Sequence, residues 1–146
     1  MRLSKRSEYG IKATVRLAQK KATGYVQSRE LAESEDLPAK FLESILLALR
    51  SASILESKVG AGGGYRLARP AEQIKVTDLI TALEPAEEEL EETPAREPSP
   101  GRAALELINE RLSGVILGGL GTMSVAELVQ LSEERMAAPQ RSMYYI

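Results

Sequence analysis

The feature that most constrains this sequence is a break of three residues, Asp36-Leu37-Pro38, between two helical segments. Leu31 and Ala32 give the first segment an apolar face and Ser28 suits its N-cap, which predicts a short helix running to about Glu35. Pro38 suits the first position of the next helix, where a missing N–H costs nothing. From there to about Ser51, Leu42, Ile45, Leu46 and Leu49 form one apolar stripe at helical spacing. Two helices joined by so short a turn fit a helix-turn-helix.

The flanking segments extend that pattern. Ile11, Val15 and Ala18, with Leu3, Tyr9 and Leu17 nearby, predict a first amphipathic helix between Leu3 and Lys21, stopped by Gly24. Alternation in Ile54–Lys58 and Tyr65–Ala68, around Gly60-Ala61-Gly62-Gly63-Gly64, predicts a hairpin with a glycine-rich tip, closed by Pro70. Thr77 is expected to cap a helix over Asp78–Glu84 that carries Leu79, Ile80 and Leu83. Three helices followed by a hairpin is the order of a winged helix-turn-helix. The expected fold is mainly α with a small β-hairpin wing, joined to a long dimerisation helix.

Residues 85–101 differ in kind, with Pro85, Pro94, Pro98 and Pro100, six glutamates, and Leu90 as the single large apolar residue. They read as an acidic linker between a head over 1–84 and a C-terminal part over 102–146. That part begins with a helix over about Arg102–Leu117. Its stripe of Leu105, Ile108, Leu112, Val115 and Ile116 suits a dimer seam shared with the last helix better than an internal core. A break at Gly118–Gly121 precedes the last helix, which the pair Ser124 and Glu127 should cap and which should run to about Met136.

Charge divides along the same line. Residues 1–84 hold 14 Lys and Arg against 10 Asp and Glu, and residues 85–146 hold 5 against 11, so the net charge of −2 conceals a basic head. Met1–Lys21 carries seven basic residues against Glu8 alone, which fits either a solvated helix or a surface meeting a polyanion. The chain has no Cys, His or Trp, which excludes thiol redox chemistry, a thiol nucleophile, an imidazole base and the common tetrahedral zinc site. No apolar run opens the chain, and Val115–Leu120 is too short to cross a bilayer, so a cytoplasmic protein without membrane contact is expected.

In a winged helix-turn-helix the helix after the turn enters the major groove and the hairpin reaches an adjacent groove or phosphate row. Opposite the stripe of the Pro38–Ser51 helix stand Ala39, Lys40, Glu43 and Ser44. Glu43 suits a cytosine amino group and Lys40 a guanine or a phosphate, although a plain polar helix face has the same pattern. Arg2, Lys5 and Arg6, with the glycine-rich wing, are the candidates for phosphate contacts, and Ser28 is a further DNA-binding candidate. The Gly60–Gly64 run lacks the Gly-Lys-Ser/Thr ending of a phosphate-binding loop, and a strand follows it. A hairpin tip approaching DNA closely, or a plain flexible turn, fits it better. No pair of Asp, Glu, Lys, Tyr or Ser stands in a recognisable catalytic arrangement.

Met1-Arg2-Leu3-Ser4, Tyr9, Phe41-Leu42-Glu43, Leu49-Arg50, Gly60–Tyr65 and Leu67-Ala68-Arg69-Pro70 together resemble the Rrf2 family of bacterial transcription regulators, which includes IscR and NsrR types. The resemblance extends over Ile74–Glu84 and more weakly beyond Arg102. It implies a homodimeric DNA-binding regulator, expected to be a repressor, acting on double-stranded DNA at a palindromic operator. Residue by residue, it places Glu43 on the base-reading glutamate, Tyr65 on the wing tyrosine and Arg2 on the N-terminal basic residue. Lys58, Val59, Gly60 and Gly63 fall on the wing tip, where Val59 stands in place of a frequent minor-groove arginine. Asp36 and Ser53 replace two turn glycines.

Cluster-binding relatives carry cysteines between the helix ending near Glu84 and the long helix, where this chain has none. No iron-sulfur cluster or other cofactor is therefore expected. Glu87, Glu88, Glu89, Glu91 and Glu92 would suit only a hard cation, and their composition fits a solvated linker better. No residue pattern names an effector, whether small molecule or protein. The alternative function is a protein-interaction adaptor that docks a partner enzyme through the winged helix, with Leu47 and the acidic stretch as its features.

Overall fold

The structure, a computed structural model, describes residues 2–20, 24–84 and 98–138. Helices α1 (Lys5–Gln19), α2 (Ser28–Glu35) and α3 (Ala39–Ser51) are followed by strands β1 (Leu55–Lys58) and β2 (Gly64–Leu67). A 3₁₀ turn at Ala71–Gln73 leads into α4 (Val76–Leu83), and α5 (Pro100–Leu120) and α6 (Val125–Ala137) complete the order. This is a mainly helical winged helix-turn-helix with one antiparallel hairpin.

The centre of the core is α3. Leu42, Ile45, Leu46 and Leu49 are fully buried, and each contributes about 1.5–3 kcal/mol by leaving water. Around them lie Leu31, Ile54, Leu55, Ile74, Leu79 and Leu83 from five neighbouring segments. The inner face of α1 is built from small side chains instead. Gly10, Ala13 and Thr14 are buried together with Leu17 and Ala18, whereas Ile11 and Val15 are only partly covered. The reason is close packing: a Cβ on Gly10 would lie 2.3 Å from Leu83 Cδ1 and 3.2 Å from Ile45 Cγ2.

Several expected boundaries move by a few residues, and at α2 a contact distant in sequence overrides the local signal. The first helix spans Lys5–Gln19 rather than reaching Lys21, with Ser4 as its N-cap. Gly24 has a positive φ, but the helix has already ended before it. Ser28 is the first helical residue of α2, not its cap; Gln27 takes that place because Val26 is held extended by paired hydrogen bonds with Tyr65. Pro38 is the N-cap of α3, its carbonyl accepting from Leu42 N–H at 2.9 Å. Thr77 lies inside α4, whose N-cap is Lys75; the Asp78 carboxylate accepts the Lys75 N–H at 3.0 Å.

The C-terminal part is also shifted. Pro100 and Gly101 open α5 behind the Ser99 cap instead of closing the linker. Gly118 and Gly119 continue that helix, and the break falls only at Gly121, where φ is 55°. Ser124 and Glu127 form the expected capping box of α6. Helix α6 packs on α1 and the 3₁₀ turn, with Val125 fully buried in the head's core and its N–H donating to Ile74 O at 2.7 Å. The acidic stretch 85–97, including its candidate cation ligands, lies outside the described residues.

Asp36 and Ser53, the two residues standing where glycine was expected, adopt φ of 53° and 59°. A left-handed conformation costs most side chains about 1–2 kcal/mol, while glycine gives back about 0.5–1 kcal/mol in chain entropy. Ser53→Gly is therefore expected to stabilise the fold by roughly 0.5 kcal/mol and raise its thermal midpoint by roughly 1–2 °C. A lower midpoint would show that the serine relieves its own strain.

Candidate nucleic-acid interface

Burial of one side of α3 fixes the direction of the other. Ala39, Lys40, Glu43 and Ser44, spaced one, three and one residues apart, all lie exposed in its first two turns. Neither Lys40 nor Glu43 makes a hydrogen bond or ion pair among the described residues, so a charged donor and a charged acceptor stand together without an internal partner. The Ser44 hydroxyl donates to Phe41 O at 2.9 Å, which leaves its oxygen able to accept.

Two contacts tie the other candidates to neighbouring elements. Tyr9 meets Phe41 edge to face at 5.6 Å between ring centroids, which ties the start of α1 to the start of α3. Lys5 and Arg6 thereby stand in the turn of α1 before Tyr9, with exposed Arg2 ahead of them. The Lys5 ammonium lies 3.1 Å from Glu8, whose hydrogen bond raises its pKa. An exposed pair at this spacing is weak and opens readily to a phosphate. Tyr65 and Val26 exchange hydrogen bonds of 2.7 and 2.8 Å, which fastens the hairpin to the segment just before Ser28.

The wing has a defined register, with Leu55 opposite Leu67, Glu56 opposite Arg66, Ser57 opposite Tyr65 and Lys58 opposite Gly64. Lys58 and Gly60 are exposed at its tip, and Val59 is 96% exposed. The glycines divide into two kinds. Gly60 and Gly62 have positive φ and open space around them, as a turn requires. Gly63 is buried, and its missing side chain is required inside the hairpin, since a Cβ there would lie 2.2 Å from Lys58 O. The Tyr65 ring is half-buried against the core, so its backbone and ring both hold the wing in place.

Sequence reasoning missed the residues that brace these elements. Arg69 donates to Ser53 O at 2.8 Å and lies 3.5 Å from Asp78, locking the foot of the wing to α3 and α4. Arg66 pairs with Glu56 and covers the Tyr25 ring at 4.4 Å. Glu84 accepts from both the N–H and the hydroxyl of Ser4. Ser4 also caps α1, and its partner 80 residues away has no local signal.

The candidate dimer residues share a helix without a single buried residue. Leu105 is 62% and Val115 71% exposed, Ile108 and Leu112 are exposed, and Ile116 is partly covered. No helix among the described residues is long and apolar enough to cross a membrane.

This geometry has known counterparts. The sequence matches the Rrf2 family, described as iron-dependent transcriptional regulators, over residues 3–131. The chain belongs to the Rrf2 family. It is 40% identical over 86 residues to the HTH-type transcriptional regulator IscR of Cereibacter sphaeroides, a stretch covering 58% of this chain and 56% of that one. The chain thus spans little more than half the length of this curated relative. The ORF2 protein of Azotobacter vinelandii is 30% identical over 145 residues, 92% of this chain and 88% of that one. The solved structure of T. potens IscR superposes with a TM-score of 0.67 at 29% identity, covering 95% of this chain and 93% of that one.

Rrf2 members are regulators, not enzymes. An iron-sulfur cluster does not fit the residues present. An iron-sulfur cluster needs thiolates or imidazoles, of which this chain has none, and no three acidic side chains converge among the described residues.

Proposed function

We propose that this Rrf2 chain binds double-stranded DNA sequence-specifically as a cytoplasmic homodimer and represses transcription from a two-fold symmetric operator. The observation that carries this reading is the outer face of α3, where unpaired Lys40 and Glu43 project from a helix whose other face is fully buried. A rigid helix presenting a donor and an acceptor suits base edges in the major groove. Ala39 and Ser44 complete the reading face. Arg2, Lys5 and Arg6 supply phosphate contacts from the start of α1, Ser28 adds a DNA contact beside the wing, and Lys58, Val59, Gly60, Gly63 and Tyr65 form or hold the wing. The uncovered stripe of α5 supports pairing with a second copy, since apolar surface of this kind costs free energy in water.

Selection from a random duplex pool followed by fluorescence anisotropy at several salt concentrations tests the reading. A two-fold symmetric site and preference over a scrambled duplex are expected. Equal affinity for both would overturn it. Arg6→Ala is expected to weaken both duplexes by a similar factor and to lower the salt slope by about one for each Arg6 engaged. A loss confined to the selected site would place Arg6 at a base instead.

Leu47 favours a second reading, because this apolar side chain on α3 is 47% exposed. In that case the winged head docks a partner enzyme, and the partner is retained on the chain without DNA.

A further inference from the structure

We infer that Glu84 is a positioning residue for DNA binding, anchoring the N-terminal arm that carries Arg2 to the end of α4. This rests on the phosphate role proposed for Arg2. The contacts are specific: Glu84 Oε1 accepts from Ser4 N–H at 3.0 Å and from the Ser4 hydroxyl at 3.1 Å. The same Ser4 oxygen accepts from Ser7 N–H at 3.1 Å, so one side chain both caps α1 and joins it to α4. Burial works to raise the Glu84 pKa, but hydrogen bonds from the fully buried Ser7 and from Ser4 outweigh it and leave the carboxyl below its ordinary value.

The sign of the charge makes this placement informative. Arg2, Lys5 and Arg6 flank Ser4 in sequence, and a carboxylate bound to Ser4 repels the polyanion they are proposed to meet. Electrostatics alone would favour its removal. Holding Ser4 has the opposite effect. Arg2 and Leu3 lie immediately ahead of the clamped residue, and Arg2 makes no hydrogen bond or ion pair of its own among the described residues. An arm already fixed at Ser4 loses less backbone freedom on binding than one that must first be ordered.

Charge and positioning therefore predict opposite results for Glu84→Ala. Anisotropy with the full chain is expected to show binding weaker by about three- to tenfold on selected and scrambled duplexes alike, with a salt slope lower by about one per protomer. Glu84→Gln, which keeps an acceptor and removes the charge, should bind at least as tightly as the unaltered chain. Glu84→Asp keeps the charge but draws it back from Ser4, and should weaken binding as Glu84→Ala does, which also covers the case in which the alanine variant fails to fold. If Glu84 acts through Arg2, the double variant Arg2→Ala/Glu84→Ala binds no more weakly than Arg2→Ala alone. Undiminished binding by the Glu84→Ala and Glu84→Asp variants that fold, or additive losses in the double variant, would overturn the inference while leaving the DNA-binding reading intact. Absence of binding by the unaltered chain would overturn both.

Discussion

Gly64→Ala is expected to destabilise the fold by about 3 kcal/mol or more and to lower its thermal midpoint by roughly 10 °C. Two costs coincide at this position. The φ of 139° lies where residues with a Cβ are strained, and the new Cβ would lie 2.2 Å from Val26 O and 2.8 Å from Gln27 N. Both neighbours are backbone, so no rotamer change makes room. Relief requires separating β2 from Val26, which breaks the two Val26–Tyr65 hydrogen bonds and frees the wing from the start of α2. Gly60→Ala supplies the comparison, because its φ is 95° but nothing lies within 4 Å of its Cβ. Only the conformational cost of about 1 kcal/mol is expected there. Thermal melts of the two variants separate steric from conformational cost. Equal midpoints would mean that the wing does not rest on Val26 as described.

Glu43→Ala should leave the fold intact and relax sequence preference. The side chain is exposed and has no partner among the described residues, so its loss leaves neither a cavity nor an orphaned donor. If it accepts from a cytosine amino group, discrimination at that base pair should fall by about 1–3 kcal/mol in each half-site, which is roughly 5- to 150-fold. Affinity for scrambled duplexes should hold or rise, because a negative charge leaves the surface facing phosphate. The salt slope should not change. Measured on the selected duplex and on one substituted at each position in turn, an unaltered preference profile would remove Glu43 from the reading face.

How much of this was legible in the sequence depended on range. The turn at Asp36–Pro38, the stripe of α3, the glycine-rich hairpin and the Ser124–Glu127 capping box are local signals within a few residues of one another. Each is a matter of helical or strand period, or of backbone conformation, and the structure has them where the pattern placed them to within a few residues. The outer face of α3 followed by subtraction, since a helix with one side committed to the core presents the other.

At α1 and α2 the features that the local pattern misplaced involve a second segment. Ser28 has the chemistry of a cap, but the Val26–Tyr65 bridge sets where α2 begins. The covered face of α1 could not be found by hydrophobicity, because contact with Ile45 and Leu83 excludes a side chain at Gly10, and small Ala13 and Thr14 are buried with it. The same holds for the role of the glycines: composition marked Gly60–Gly64 as a turn, while proximity to the backbone of Val26 and Lys58 made two of them irreplaceable.

By itself, then, the sequence determined the order of elements, the inner and outer sides of α3, the basic head and the lack of any thiolate or imidazole to hold a cluster. Those properties follow from residue type and short-range period alone. Only the tertiary structure decided that α6 closes the head by burying Val125, that Arg69 locks the wing's foot, and that Glu84 holds the start of α1. These depend on which groups meet after the chain has closed loops of many residues, and no local propensity encodes such a meeting.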